Sequence, residues 1–249
     1  MSGESKVLIV TGGSRGIGAA TARLAGRQGY RVCVNYFRGA SGAEAVAGDI
    51  AAGGGKAMAV QADVGNEDDV MRLFGEVDAA FGRLDGLVNN AGISGGHNSV
   101  EDITMDILDG VFSTNVFGSF LCGREAIKRM STERGGEGGA IVNVSSQAAS
   151  HGGNSLAHYA ASKAAIEAFT LGFAREAAAS GVRVNAVSPG IIDTDQFNQT
   201  SPDQMERHIA SIPMGRAGTP QEVADAILWL MSDSASYVNG TVIPVHGGR

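Results

Sequence analysis

The sequence predicts an α/β fold, a doubly wound parallel sheet of about seven strands with helices on both faces. Three observations carry this expectation. Short β-branched runs alternate with longer helix-compatible segments from one end to the other. The runs are apolar nearly throughout, as strands covered on both faces are. Glycine is abundant at 37 residues against 5 prolines, and it falls between the apolar segments with no fixed period. No linker breaks the pattern, so residues 1–249 are expected to form a single domain.

The first strand is VLIV (7–10), followed by TGGSRGIG (11–18), which opens a helix over 16–28. Gly12, Gly16 and Gly18 allow a tight turn, close approach of backbone to a pyrophosphate and close packing of the helix, whose positive N-terminus faces the phosphates. Ser14, Arg15 and Ile17 complete this candidate dinucleotide cradle. The stretch also fits G-x-S-x-G through Gly12, Ser14 and Gly16, the nucleophile elbow of a serine hydrolase. An elbow, however, follows earlier strands and an upstream oxyanion loop, and only ten residues precede this one.

The second strand, RVCVNY (31–36), ends in NYFR (35–38), and a helix is expected over 41–52. A dinucleotide site places an acid here for a free ribose or a base for a 2′-phosphate. No acid is present. Asn35, Arg38 and, from the glycine loop, Ser14 and Arg15 suit a phosphomonoester, which favours NADP(H), with NAD(H) as the alternative. AMAVQA (57–62) is the third strand; Asp63 is assigned to the adenine amino group and Val64 to the adenine face. After a helix at 66–81 comes DGLVNN (85–90) and the bend NNAG (89–92), with Asn90, Ala91 and Gly92 near the ribose and Asn89 bracing the sheet. One long helix is expected over 103–133, then AIVNVSS (140–146), a helix over 157–179, VRVNAVS (182–188), a helix over 220–231 and TVIPV (241–245).

The net charge of −7 argues against a nucleic-acid or anionic-membrane surface. The longest apolar runs, such as AILWLM (226–231), are too short to span a bilayer. Cys33 and Cys122 show neither metal nor redox spacing, and His97, His151 and His158 lack metal-ligand spacing, so no metal is expected. No secretory signal precedes the first strand, and the expected location is the cytoplasm.

Tyr159 and Lys163 in YAASK (159–163) are one turn apart on one helix face. Taken with TGGSRGIG, NNAG, Asn115 in STNVFG, VSS (144–146) and VSPG (187–190), in that order, the chain resembles the short-chain dehydrogenase/reductase family over essentially its whole length. The resemblance implies a Rossmann-type fold and a tetrad of Asn115, Ser146, Tyr159 and Lys163. The family spacing of thirteen residues before the tyrosine selects Ser146, leaving Ser145 as a structural neighbour. It further implies nicotinamide-side contacts from Pro189, Gly190, Ile192 and Thr194, ribose contacts from Tyr159 and Lys163, and a water on Asn115 that relays protons to Lys163.

The chemistry agrees with the spacing. Carbonyl reduction needs a hydride and a proton for the developing alkoxide, and a phenol can give that proton. To run the reverse reaction near neutrality a phenol of pKa about 10 must be acidified by about 4 kcal/mol. A lysine cation at ~6 Å and an effective dielectric of ~20 supplies about 2.8 kcal/mol. The expected activity is NADP(H)-dependent interconversion of a carbonyl and a secondary alcohol. Gln147, His151 and Asn154 lie near the tetrad in sequence and suit a small polar substrate, and 193–214 reads as a substrate lid. A 3-oxoacyl-thioester reductase is the alternative, for which Lys128, Arg129 and Arg134 would have to form a basic docking face. A non-catalytic dinucleotide-dependent regulator is a further one. The resemblance also implies a homotetramer, a dimer of dimers pairing the helices of 103–133 and 157–179, with Ile107, Val111, Phe112, Phe169 and Phe173 as candidate contacts.

Overall fold

The computed structural model describes residues 5–194 and 202–249. Seven strands form one parallel sheet in the order β3-β2-β1-β4-β5-β6-β7. They are β1 Val7–Val10, β2 Arg31–Tyr36, β3 Lys56–Gln61, β4 Gly86–Asn89, β5 Gly139–Val144, β6 Val182–Pro189 and β7 Val242–Val245. The strand order reverses between β1 and β4, where ligands of such sheets bind, outside the carboxyl ends. In register, Val10 lies opposite both Val34 of β2 and Val88 of β4.

Successive residues of β1 face opposite ways, and the two faces build two cores. Leu8 and Val10 pack with α1 (Gly16–Arg27), α2 (Ala40–Ala52) and α9 (Pro220–Met231), through residues such as Ala22, Val46 and Ile227. Val7 and Ile9 pack with α3 (Glu67–Phe81), α5 (Gly118–Met130) and α7 (Ala157–Ala177), through residues such as Phe74, Met130 and Ala174. Cys33 and Cys122 are both buried in the second core, and burial pushes both thiols up, Cys122 to about 12.

Local signals set the helix starts. Thr219 and Glu222 form a reciprocal capping box at α9, with Pro220 in the first turn. Asn66 accepts from the Asp69 N–H at α3, where Glu67, Asp68 and Asp69 face the positive end. Helix α1 differs: Arg15 at its N-cap makes no side-chain cap, and no acid stands in its first turn.

The helix expected over 103–133 is divided. It comprises α4 (Met105–Phe112), a π-helical turn (Ser113–Phe117), α5 and a short 3₁₀ turn (Thr132–Arg134). The Gly118 N–H reaches back to the Ser113 carbonyl, so one extra residue is held in the turn, and Asn115 within it is buried. The single turn α6 (Ala148–His151) was not expected, and a short helix, α8 (Pro202–Ala210), lies inside the segment read as a lid. Of that segment, residues 195–201, including Phe197, lie outside the described residues.

Candidate active site

The glycine loop is fixed from below. Gly12 and Gly16 have φ of 61° and 54°, the left-handed region open to glycine, and a Cβ on Gly18 would collide with the Gly12 carbonyl. The Gly12 N–H donates to Asn35 Oδ1 (3.3 Å), and the Gly13 N–H to the Asn35 carbonyl (2.7 Å). Asn35 Nδ2 donates to the carbonyls of Val60 and Ala62. At 1 % exposure, Asn35 is therefore an internal brace of the loop and not the phosphate contact its place at the strand end suggested.

Thr11, an unexpected participant, ties the loop after β1 to the loop after β4. Its Oγ1 donates to the Val88 carbonyl and accepts from the N–H groups of Asn90 and Ala91. Asn90 Nδ2 donates to the carbonyls of Thr11 (2.9 Å) and Gly12 (3.0 Å), so its amide holds the cradle together. Asn89 Nδ2 donates to Asn143 Oδ1, the sheet brace expected.

Ser14, Arg15 and Gly16 line a hollow of about 450 Å³ together with Asp193 and Thr194. Arg15 and Arg38 are exposed, and neither has a carboxylate partner among the described residues; Arg38 lies 5.2 Å from the centroid of the Phe37 ring. Asp63 accepts from the Gly65 N–H. Val64 is 4 % exposed and packs at Gly118, which places its side chain in the core and not on an adenine face. Ile17 packs against the first core. Ile192 bridges to Gly218, and the Gly190 N–H donates to the Val245 carbonyl, anchoring the loop that leaves β6 after Pro189.

These residues fit a dinucleotide: a glycine loop with no room for a Cβ at Gly18, an uncapped helix N-terminus above it, the Arg15 guanidinium in the hollow and the Arg38 guanidinium exposed after β2, neither with a carboxylate partner among the described residues. A larger hollow, about 690 Å³, lies near the opposite strand ends and is lined by Tyr30, Asp85, Arg183 and Asp233 among others. Arg183 there is spent on the carbonyls of Leu230, Ser232 and Val238, and none of the expected site residues lines that hollow.

The four expected catalytic residues come from three parts of the fold: the π-helical turn (Asn115), the loop after β5 (Ser146) and α7 (Tyr159 and Lys163). The π-helical turn turns Asn115 inward, where its Oδ1 accepts from the Ile93 N–H and its Nδ2 donates to the Ile93 carbonyl (2.9 Å) and to Ser162 Oγ (2.9 Å). Ser162 Oγ in turn donates to the Tyr159 carbonyl (2.7 Å). Fully buried Ser162, hidden in the sequence among alanines, thus pins Asn115 to the catalytic turn of α7. A Cβ placed on Gly92 would stand 3.3 Å from both Asn115 Oδ1 and Lys163 Nζ, so the bend after β4 opens onto both.

Lys163 is buried, donates to the Val144 carbonyl (2.7 Å) and lies 5.8 Å from the centroid of the Tyr159 ring. Burial pushes its pKa down to about 8. Burial raises the Tyr159 phenol, and hydrogen bonding by the Ser146 hydroxyl works against that rise. Desolvation of both groups opposes the pairing that a Coulomb estimate alone credits. Ser145 Oγ is bonded to Glu167 Oε1 (2.8 Å) and to the Lys163 carbonyl (3.3 Å), so it braces the backbone of α7. His158 Nε2 bonds the Ser94 carbonyl, and the Asn98 N–H donates to the Ser155 carbonyl, tying the 93–98 loop to the start of α7.

Among the described residues there is no cluster of His, Cys, Asp or Glu that could hold a metal, and no helix long and apolar enough to cross a membrane.

Comparison with known proteins agrees with this geometry. A family model described as enoyl-(acyl carrier protein) reductase matches residues 12–249. An uncharacterized oxidoreductase of Escherichia coli, YgfF, is 48 % identical over 98 % of this chain and 99 % of its own. A glucose and ribitol dehydrogenase homolog of Oryza sativa is 40 % identical over 98 % of this chain and 86 % of its own. The 3-oxoacyl-[acyl-carrier-protein] reductase FabG of Staphylococcus aureus is 39 % identical over 98 % of each chain. The solved structure of a mutant short-chain dehydrogenase/reductase from Serratia marcescens superposes with a TM-score of 0.91 at 33 % identity, covering 98 % of each chain. With the sheet order, the glycine loop and these likenesses in agreement, the chain belongs to the short-chain dehydrogenase/reductase family of NAD(P)-dependent oxidoreductases.

Proposed function

We propose that the chain is one catalytic domain that reduces a small, polar carbonyl compound with NADPH, or oxidises the corresponding secondary alcohol. One observation carries this reading: Asn115 and Lys163 stand beside Gly92, Ser162 links Asn115 to the Tyr159 carbonyl, and Ser146 hydrogen-bonds the Tyr159 phenol. NADPH, when bound, supplies the hydride. Ser146 donates a hydrogen bond to the substrate oxygen, and Tyr159 gives up its proton as charge develops there. Lys163 holds a cation behind the phenol and offers donors to a ribose. Gly12, Ser14, Gly16 and Gly18 receive the phosphates, and Ala91, Gly92, Pro189, Gly190, Ile192 and Thr194 line the remainder of the dinucleotide.

A free substrate is favoured over a carrier-bound thioester because the basic residues of α5 are already neutralised. Lys128 pairs with Glu125 (2.8 Å), Arg129 with Asp78 (2.8 Å) and Glu125 (3.0 Å), and Arg124 with Glu67 (2.7 Å). Ser14, the nucleophile of the hydrolase alternative, has no histidine partner among the described residues. The test is loss of NADPH absorbance against ketones, aldehydes, sugars and 3-oxoacyl thioesters. Turnover of free hydroxylated carbonyls is expected. Turnover of thioesters alone replaces the substrate class, and fluorophosphonate labelling of Ser14 without any turnover replaces the reaction.

NADPH is favoured because Arg15 and Arg38 offer charge-assisted bonds to a 2′-phosphate at the rim. Each such bond is worth about 1.5 to 3 kcal/mol before screening, so the expected preference over NADH is at least about tenfold and falls with salt. Arg38→Asp repels the phosphate and accepts from a free ribose, shifting the kcat/KM ratio towards NADH; an unaltered ratio rules out this role for Arg38. Asn35→Ala should instead weaken both dinucleotides alike, because the brace beneath the loop is lost.

A homotetramer built on α5 and α7 is the proposed assembly. Phe117 (55 % exposed), Phe120 (47 %) and Leu171 (45 %) are apolar and open, and Phe120 stacks on Phe169 at 3.8 Å. Val111, a candidate contact from sequence, is fully buried within the chain. A two-fold interface uses such a patch twice. Light scattering should give a multiple of 25.4 kDa, and the monomer mass at micromolar concentration would reject the assembly.

A further inference from the structure

We propose that Gln147 selects the substrate by accepting a hydrogen bond from a hydroxyl within a carbon or two of the reacting carbonyl, an inference that rests on the carbonyl-reductase reading above. Gln147 follows Ser146 directly and has helical backbone angles (φ −51°, ψ −27°), so the chain turns sharply between the two residues. Its backbone is fully engaged. The N–H donates to the Pro189 carbonyl (2.9 Å), and the carbonyl accepts from Ser150 Oγ (3.3 Å) and the His151 N–H (3.2 Å). The side chain is therefore carried by a fixed frame and is only 6 % exposed, yet its Oε1 has no hydrogen-bond partner among the described residues.

Buried amide oxygens in folded proteins are almost always paired, and an exception asks for an explanation. The neighbouring donors do not provide one. Oε1 lies 3.3 Å from the point a Cβ on Gly190 would occupy, and the same point is 2.6 Å from His246 Cβ. The Gly190 N–H is already spent on the Val245 carbonyl, and the Gly248 N–H on His246 Nδ1. The orphaned acceptor thus sits among the residues that follow β5, β6 and β7, the strand ends where this kind of sheet receives its ligand, one residue from the proposed oxyanion donor. What it lacks is a donor, and a hydroxyl of the substrate supplies it. The substrate class is an α-hydroxy or polyhydroxy carbonyl compound. A plain ketone leaves the oxygen unpaired and is disfavoured for that reason.

The experiment compares NADPH-dependent kcat/KM for matched ketones: butanone with 3-hydroxybutan-2-one, and acetophenone with 2-hydroxyacetophenone. The native protein should prefer the hydroxylated member of at least one pair by about tenfold or more. In Gln147→Leu and Gln147→Met, which differ in how they fill the space but both lack the amide, that ratio should fall to near parity, mainly through KM for the hydroxyketone. NADPH affinity, measured by fluorescence, should move with neither. A ratio unchanged in a variant that still turns over, or no preference in the native protein, overturns the inference alone. No turnover of any of the four ketones by native protein that binds NADPH overturns the reading beneath it as well.

Discussion

Tyr159→Phe should lower kcat for carbonyl reduction by a factor of ~100 or more while NADPH still binds. The substitution removes one hydroxyl and keeps the ring; the hydroxyl's bond to Ser146 is lost, but the contacts that hold Asn115 and Lys163 do not use it. Ser162 holds the Tyr159 carbonyl, and Lys163 is held by the Val144 carbonyl. The cradle of Gly12, Thr11 and Asn90 is likewise untouched. Stopped-flow absorbance and fluorescence titration separate the two quantities, and substantial turnover in the variant would show that the proton comes from elsewhere. The pH dependence follows from the same groups. Reduction needs the phenol protonated and the ammonium charged; burial raises the first and lowers the second to about 8. In the native protein kcat/KM for reduction should therefore hold at lower pH and fall as pH rises through about 8. Oxidation, which needs the phenolate, should rise with pH over the alkaline range. The two limbs belong to the coupled pair, and Tyr159→Phe should flatten both.

Lys163→Met should impair chemistry and cofactor binding together, with kcat down by a factor of ~100 and dinucleotide affinity by ~10, because the same ammonium stands behind the phenol and faces the ribose. Unchanged NADPH affinity would contradict the dual role. The variant also carries a stability signature. In the free protein the Lys163 pKa falls from 10.5 to about 8, so between these values the unfolded chain holds more protons than the folded one. Native stability therefore rises with pH across that window, and below it the buried charge costs on the order of 3 kcal/mol. Lys163→Met removes that slope, offset in part by the donor that the Val144 carbonyl loses. Denaturant titrations of both proteins at pH values on each side of the window would read the difference. A variant less stable than native at neutral pH and retaining the slope would mean that the ammonium is not strained in the fold.

The strands were legible because doubly covered strands are apolar at nearly every position, and the observed limits differ from those expected by only a residue or two. The turn at Ser113–Phe117 was not legible. One i→i+5 turn shifts the helical period by a single residue, and Gly118 in STNVFG does not end the helix but opens α5. Asn35 misled for a different reason. A polar residue near a strand end resembles a ligand group, whereas here β2 continues to Tyr36 and passes under the glycine loop, where an amide satisfies backbone groups. Thr11, Ser162 and Gln147 are small or neutral polar residues whose meaning lies in which backbone atoms surround them. That is a tertiary fact, and no spacing rule encodes it. The family motifs, by contrast, marked Asn115 and Lys163, which stand together beside Gly92, and Tyr159 one turn from Lys163.

The knot of Thr11 and Asn90 should make the proposed dinucleotide and carbonyl ligands thermodynamically interdependent. It joins the phosphate cradle to the bend after β4, and that strip of chain is fastened again at Ser94 and Asn98 to His158 and Ser155, beside Tyr159. Ordering the strip for one ligand spares the other that cost, so dinucleotide and carbonyl compound should each raise the other's affinity by one common factor. Removing the tie with Thr11→Val should shrink that factor for both ligands equally, which calorimetric titrations run in either order would reveal; a factor that persists would place the coupling in direct contact between the two ligands.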